Sequence, residues 1–586
     1  MTSSERNPNR AGDGIVLPRE TRGYPLAEPV GSAVACGRHH TMHKLVRVLT
    51  PGLLIFGMGV LNAQSTLKSW TGASGQAFFG RSVAALGDVD NDGVSDIVVG
   101  DVFGAGFVGS AHVYSGKSSA PLFTVRGQVP GENFGAAVVG CGDVNGDGVP
   151  DFAVGSPLNS VAGSSAGQVV VCSGTNGDIL ATLAGAAPDS YFGAALANLG
   201  DLDGDGIAEL AVGAPRQGDN QSGAVWVYRA GGIGGVTLFD GVLGSGKDDA
   251  LGTAVAAAGD VNGDGVLDFI VGAPQTANAS GYIRVHSGTG GTLLWKSSGD
   301  NDGDAYGSSV AGVPDVDGDG LADVIVGIPG LDAGAFDAGG LVVYCGVSGV
   351  LYQLFVGDDV ACRLGFSVAG LEDQDGDGWG EVAAGTDKLE GGEARVWSGA
   401  SGLLMTTIAA FSATAAGLGS GVVVVATDDM NGDGWNDLLV GVPTRLVAPD
   451  PGHVQAVSLQ AIIPWIDLGF GLAGSSGVPH LDGKGSLEAG SSFVLTVSNG
   501  LPFAKATLVM GLSQKNASFK GGVLVPSPDI LSPDITLDVT GSLAFVDSLP
   551  TGEVAAGTQV LYQVWIEDSS AEQGLAGSNA LAATIP

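Results

Sequence analysis

A nine-residue acidic loop recurs seven times along this 586-residue chain, opening at Asp88, Asp143, Asp201, Asp260, Asp315, Asp373 and Asp429. Successive loops start 55 to 59 residues apart, too regular for chance and the right size for one small supersecondary unit each. Whatever the chain folds into must therefore be built from seven similar units, each presenting the same acidic turn.

Hard oxygen donors stand at positions 1, 3, 5, 7 and 9 of every copy. The first supplies Asp88, Asp90, Asp92, the backbone carbonyl of Val94, and Asp96; the second Asp143, Asn145, Asp147, Val149 and Asp151. The third has Asp201, Asp203, Asp205, Ile207 and Glu209, and the fourth Asp260, Asn262, Asp264, Val266 and Asp268. The fifth has Asp315, Asp317, Asp319, Leu321 and Asp323, the sixth Asp373, Asp375, Asp377, Trp379 and Glu381, and the seventh Asp429, Asn431, Asp433, Trp435 and Asp437. Carboxylates, amide oxygens and carbonyls on a flexible turn suit Ca²⁺, so up to seven ions are expected. No His or Cys lies inside any loop, which argues against zinc. An EF-hand needs an acidic twelfth position between two helices, but that position is Val99, Val154, Val212, Val271, Val326, Ala384 and Val440. A β-rich run such as Asp96-Ile-Val-Val-Gly100 follows instead, so each loop joins two strands.

Other elements repeat in register. An aromatic residue or Leu precedes Gly nine residues ahead of six loops, at Phe79-Gly80, Phe134-Gly135, Phe192-Gly193, Leu251-Gly252, Tyr306-Gly307 and Leu364-Gly365; the seventh departs, with Leu418-Gly419 eleven residues ahead. The strand after the loop ends in Gly-x-Pro at Gly155, Gly213, Gly272, Gly327 and Gly441. A third strand (Ala111 to Tyr114, Ala224 to Tyr228, Leu341 to Tyr344) and a fourth (Leu122 to Val125, Leu351 to Phe355) complete a unit of four short strands. Seven such units describe an all-β, seven-bladed β-propeller with metal-binding loops. Ser65 to Trp70 reads as a fourth strand without its own first three, so the N-terminal segment is expected to complete the seventh blade.

The Phe-Gly, Asp-x-Asp-x-Asp-Gly-x-x-Asp and Gly-Ala-Pro elements resemble FG-GAP repeats, those of the propeller at the head of integrin α subunits and of many secreted bacterial proteins. The resemblance runs from about Ser65 to Leu459. It implies a ring with Ca²⁺ loops on one face and ligand-binding loops generally on the other, and it names no ligand.

Outside the repeats, residues 1–41 read as a non-native or disordered extension. Residues 42–63 read as a signal peptide, with a basic stretch from Met42 to Arg47, an apolar stretch from Val48 to Val60 and cleavage after Ala63. The propeller is expected over 64–460. Over 461–586 alternating runs such as Ser492 to Val497, Ala506 to Met510, Ile535 to Val539 and Val560 to Trp565 suggest a small β-sandwich. No later run is long and apolar enough to span a bilayer, so the expected location is extracellular or at the cell surface. A net charge of −37 argues against nucleic acid as a partner. Cys141 with Cys172 and Cys345 with Cys362 could form local disulfides or remain buried thiols.

The four His of the mature chain, His112, His286, His453 and His480, fall in different units, and no catalytic constellation emerges. The leading expectation is a calcium-binding adhesion module for an extracellular protein or carbohydrate, not an enzyme. A structural spacer and a hydrolase of polysaccharide or phosphoester are the alternatives. Strand direction puts the connections opposite the metal loops on the recognition face: Gly131 to Asn133, Pro188 to Ser190, Lys247 to Asp249, Asp300 to Asp304, and Asp358-Asp359. That face reads as acidic and polar.

Overall fold

In the computed structural model the described residues are 66–72, 78–218, 220–229, 237–275, 279–333, 335–375, 377–388, 392–409, 421–443, 452–459, 465–469, 472–484, 492–520, 522–548, 559–571, 574–578 and 580–584, all in a compact unit from Leu53 to Pro586. The expected extension, the signal peptide and Leu418-Gly419 lie outside them. The fold is all-β, with one helical turn, Gly104–Phe107, among the described residues.

Among the described residues seven four-stranded antiparallel sheets follow one another along the chain, six of them wound in sequence order from first strand to fourth. The first is Phe79–Gly87, Asp96–Asp101, Ser110–Tyr114 and Pro121–Arg126. In every sheet the acidic loop joins strands one and two. The second strand is buried along its whole length in most sheets, because it has a sheet neighbour on each side and a packed sheet above and below. Fourth strands such as Ile179–Ala184 are half exposed, as outer edges must be. First strands of successive sheets pack beside one another, and that of the last sheet, Val423–Thr427, lies beside Phe79–Gly87 of the first. The last sheet takes its fourth strand from the far end of the sequence: Thr66–Thr71 pairs with His453–Val457, matching Trp70 with Val454. Trp70, 3% exposed, packs with Phe79, Val83, Leu439 and Val454.

The Phe-Gly and Gly-x-Pro signatures are two halves of one contact. The N–H of the first glycine donates to the carbonyl of the second across the same sheet, as Gly193 to Gly213 and Gly252 to Gly272. The second glycine meets the next sheet's Phe-Gly carbonyl so closely that a Cβ on Gly213 would lie 2.1 Å from the Gly252 oxygen, and one on Gly155 2.1 Å from that of Gly193. Gly441 of the last sheet makes the same approach to Gly80 of the first. In the sixth sheet Gly385 meets the carbonyl of Val422, which stands where the other repeats have the Phe-Gly glycine. The apolar partner of each pair, Phe79, Phe134, Phe192, Leu251, Tyr306 or Leu364, is buried.

Beyond residue 464, Trp465–Gly469, Ala580–Thr584, Gln559–Glu567, Lys505–Gly511 and Ile530–Thr536 form one sheet, with Leu575–Gly577 alongside. His480–Lys484, Ser492–Ser498 and Leu543–Ser548 form a second sheet, and Gln514–Phe519 with Gly522–Pro526 a hairpin. The expected strand over 535–539 is displaced: the strand ends at Thr536, and Leu537 turns inward as the chain enters the turn that Asp538 caps for Thr540 and Ser542. All four cysteines after residue 63 are free thiols. Cys141 and Cys172 pack into clusters on opposite faces of the second sheet, out of reach of each other's bonding geometry.

Candidate metal centre

Each acidic loop is held by its own carboxylates. The first-position carboxylate accepts the N–H of the sixth-position glycine in all seven copies, from Gly93 to Asp88 at 2.8 Å through Gly434 to Asp429 at 2.6 Å. That glycine sits in the left-handed region every time, at φ +89° in Gly93 and +91° in Gly434, with open space around it, so conformation alone demands glycine there. The fifth-position carboxylate accepts the N–H of position seven, as Val94 to Asp92 and Trp435 to Asp433. The ninth is different: Asp96, Asp151, Glu209, Asp268, Asp323, Glu381 and Asp437 are all fully buried. Each accepts the N–H of position two, as Val89 to Asp96 at 2.8 Å and Met430 to Asp437 at 2.8 Å.

The second oxygen of this buried carboxylate is where the loops diverge. In four repeats it accepts a glycine N–H beyond the third strand: Gly116, Gly174, Gly288 and Gly346. Glu209 Oε1, Glu381 Oε1 and Asp437 Oδ1 are buried with no hydrogen-bond partner. Burial, with neighbouring carboxylates behind it, pushes Glu209, Asp323 and Asp437 up to about 7, Asp96 to about 6 and Glu381 to about 10. A buried anion with a vacant oxygen among other carboxylates is what a cation would relieve. One oxygen each of Asp88, Asp90 and Asp96, of Asp201, Asp203 and Glu209, of Asp315, Asp317 and Asp319, and of Asp373, Asp375, Asp377 and Glu381 lie within 4.8 Å of one another. In the second and fourth loops the third-position amide acts as a partial substitute: Asn145 Nδ2 and Asn262 Nδ2 donate to Asp151 and Asp268 at 3.4 and 3.0 Å. Asn431 donates to Asp433 at 2.8 Å.

Sequence reading missed a companion group. The residue after the third strand donates to the fifth-position carboxylate: Ser115 to Asp92, Ser287 to Asp264, Cys345 to Asp319 and Ser458 to Asp433. The recurring Ser-Gly at 115, 173, 287 and 398, and Cys345-Gly346, was the available signal.

On the opposite connections the structure corrects the expected acidic face. Glu132, Asp249 and Asp304 turn inward. Glu132 accepts the N–H groups of Gln128 and Val129, Asp249 those of Ser245 and Gly246 and the Tyr282 hydroxyl, and Asp304 the Asn301 amide. Each caps its own turn, which satisfies loop backbone that water cannot reach. Asp358 and Asp359 pair with Arg395 and Lys388. Asp189, Asp300 and Asp302 stay exposed. A cavity of about 420 Å³ opens among these connections, lined by Phe78, Arg81, Phe103, Asn133 and Pro157. Its residues come from separate loops, so no local pattern announced it.

Repeated four-stranded sheets, each carrying an oxygen-lined loop between strands one and two, define a propeller-type repeat protein. A family model described as FG-GAP repeat matches residues 134–172, 192–228 and 251–286. The chain is 34% identical over 222 residues to integrin alpha-V of Gallus gallus, covering 36% of this chain and 21% of that protein. It is 32% identical over 213 residues to integrin alpha-5 of Xenopus laevis (34% and 20%), and 28% identical over 285 residues to integrin alpha-PS2 of Drosophila melanogaster (45% and 19%). It thus spans about a fifth of the length of these curated relatives. The chain is an integrin alpha-like FG-GAP repeat protein.

Proposed function

We propose that residues 64–460 form a secreted seven-bladed propeller that binds Ca²⁺ in its acidic loops and acts as an adhesion module for an extracellular protein or carbohydrate. Residues 461–586 would form a β-sandwich-like domain after it. The observation that carries the metal reading is the pair of buried carboxylate oxygens without partners, Glu381 Oε1 and Asp437 Oδ1, each within an oxygen-donor loop. Carboxylates at positions 1, 3, 5 and 9, the Asn amide oxygens and the position-seven carbonyls would hold the ion. Its charge would lock each turn to the hairpin behind it and remove carboxylate repulsion.

The integrin alpha likeness supports the adhesion reading, and the connections opposite the metal loops offer the recognition surface. Exposed Asp300 and Asp302 suit a cationic or hydroxyl-rich ligand, and the cavity by Phe103 an apolar group. Binding of the Ca²⁺-loaded chain to matrix proteins and polysaccharides tests this, beside Asp300→Ala/Asp302→Ala and Phe103→Ala variants. Selective binding reduced in either variant is expected; no binding across the panel would leave the structural spacer as the better reading. Among the described residues no helix is long and apolar enough to cross a membrane.

A further inference from the structure

The third loop departs from its six siblings at the residue that follows the loop's supporting hairpin. Ser115, Ser173, Ser287, Cys345, Ser398 and Ser458 occupy that position elsewhere, all uncharged. In the third repeat it is Arg229, the last residue of the strand Ala224–Arg229. Its Nε stands in ion-pair contact, without hydrogen-bond geometry, with Oδ2 of Asp203, the third-position residue, whose side chain is only 14% exposed. Asp201, Asp203 and Glu209 are the carboxylates that converge in this loop. Lys117, near the first loop, reaches only the backbone carbonyl of Asp92 and leaves the ligand oxygens alone.

A guanidinium keeps its charge at every relevant pH and fits a carboxylate closely. A divalent ion entering this loop would have to displace it from Asp203 or accept a like charge at contact distance. The serine and cysteine of the other repeats impose neither cost. We propose that Arg229 is the built-in cation of the third loop, which closes this turn without Ca²⁺ and leaves the protein one tightly bound ion short of its loop count. The inference rests on the calcium reading of the remaining loops. It predicts unequal sites in a chain whose loop sequences look equivalent.

The test is a count of Ca²⁺ per full-length chain by equilibrium dialysis and native mass spectrometry, for the wild type and Arg229→Ser. Arg229→Gln, which keeps a donor and drops the charge, serves should the serine variant fail to fold. The variant is expected to bind one more ion than the wild type at a concentration that saturates the other loops. In metal-free buffer it should melt several degrees lower, a gap that closes on adding Ca²⁺. Equal counts with equal affinities would overturn the inference and leave the calcium reading intact. No Ca²⁺ bound by either protein would overturn both.

Discussion

Asp101 is a buried carboxylate at odds with its surroundings. It ends the second strand of the first sheet, where other sheets place Ser156, Ala214, Ala273, Ile328 or Val442, and it is fully buried. The N–H groups of Phe103 and Gly104 point toward it and offset part of the burial, but neither carboxylate oxygen attains hydrogen-bond geometry. Burial raises it from 3.8 to about 6. A carboxyl so raised contributes stability that is fully present below about pH 4 and is lost as pH rises through about 6, a difference on the order of 3 kcal/mol. Asp101→Asn should therefore stabilise the Ca²⁺-loaded protein at pH 7.5 by about 1–3 kcal/mol, with the advantage shrinking by pH 4.5. Urea melts at the two pH values check this, and an Asn variant no more stable at pH 7.5 would refute it. Single residues of this kind were the least legible part of the sequence. The acidic loops announced themselves through spacing, whereas the burial of Asp101, Glu132 and Asp249 depends on how connections from separate strands fold back.

Strands were legible because each sheet repeats the same turn chemistry at the same interval. The third and fourth strands over Ala224–Arg229 and Leu351–Val356 fall where small β-rich runs between glycines placed them, and Thr66–Thr71 closes the last sheet as the orphan strand implied. What spacing did not reveal is why the glycines recur: the backbone of one sheet touches that of the next, a long-range contact with no local signature. Gly213→Ala would press a methyl group into the Gly252 carbonyl, neither of which can yield without shifting a strand. It should cost about 1–3 kcal/mol, whereas alanine at a spacious surface turn costs little beyond its backbone strain. Removing the closing strand acts differently, by exposing an edge and emptying a packed site. Trp70→Ala, which keeps the backbone pairing and removes only the indole, should cost about 3–5 kcal/mol. Chemical denaturation of both variants decides, and wild-type stability of Trp70→Ala would mean that the N-terminal strand adds pairing without packing.

For the whole molecule, the acidic loops supply much of the negative charge behind the net −37. A loop saturated at about 100 times its dissociation constant adds roughly 2.7 kcal/mol, so several together match the ~5–15 kcal/mol that holds an ordinary domain. Stripping the metal should lower the melting temperature by tens of degrees or unfold the repeats at room temperature. The ninth-position carboxylates give this a pH signature. Asp323 and Asp437 are raised to about 7 by burial without an ion. The metal-free fold then binds protons more tightly than the unfolded chain, and its stability is greatest near pH 4–5 and declines as pH rises through 7. If Ca²⁺ occupies the loops as proposed, protons compete with the ion for the same oxygens, so stability should fall as pH drops from 7 to 5. Melting temperatures across pH 5 to 8, measured on metal-stripped and Ca²⁺-saturated protein, should slope in opposite directions. Parallel slopes would separate the buried carboxylates from the metal and reduce them to interior hydrogen-bond acceptors.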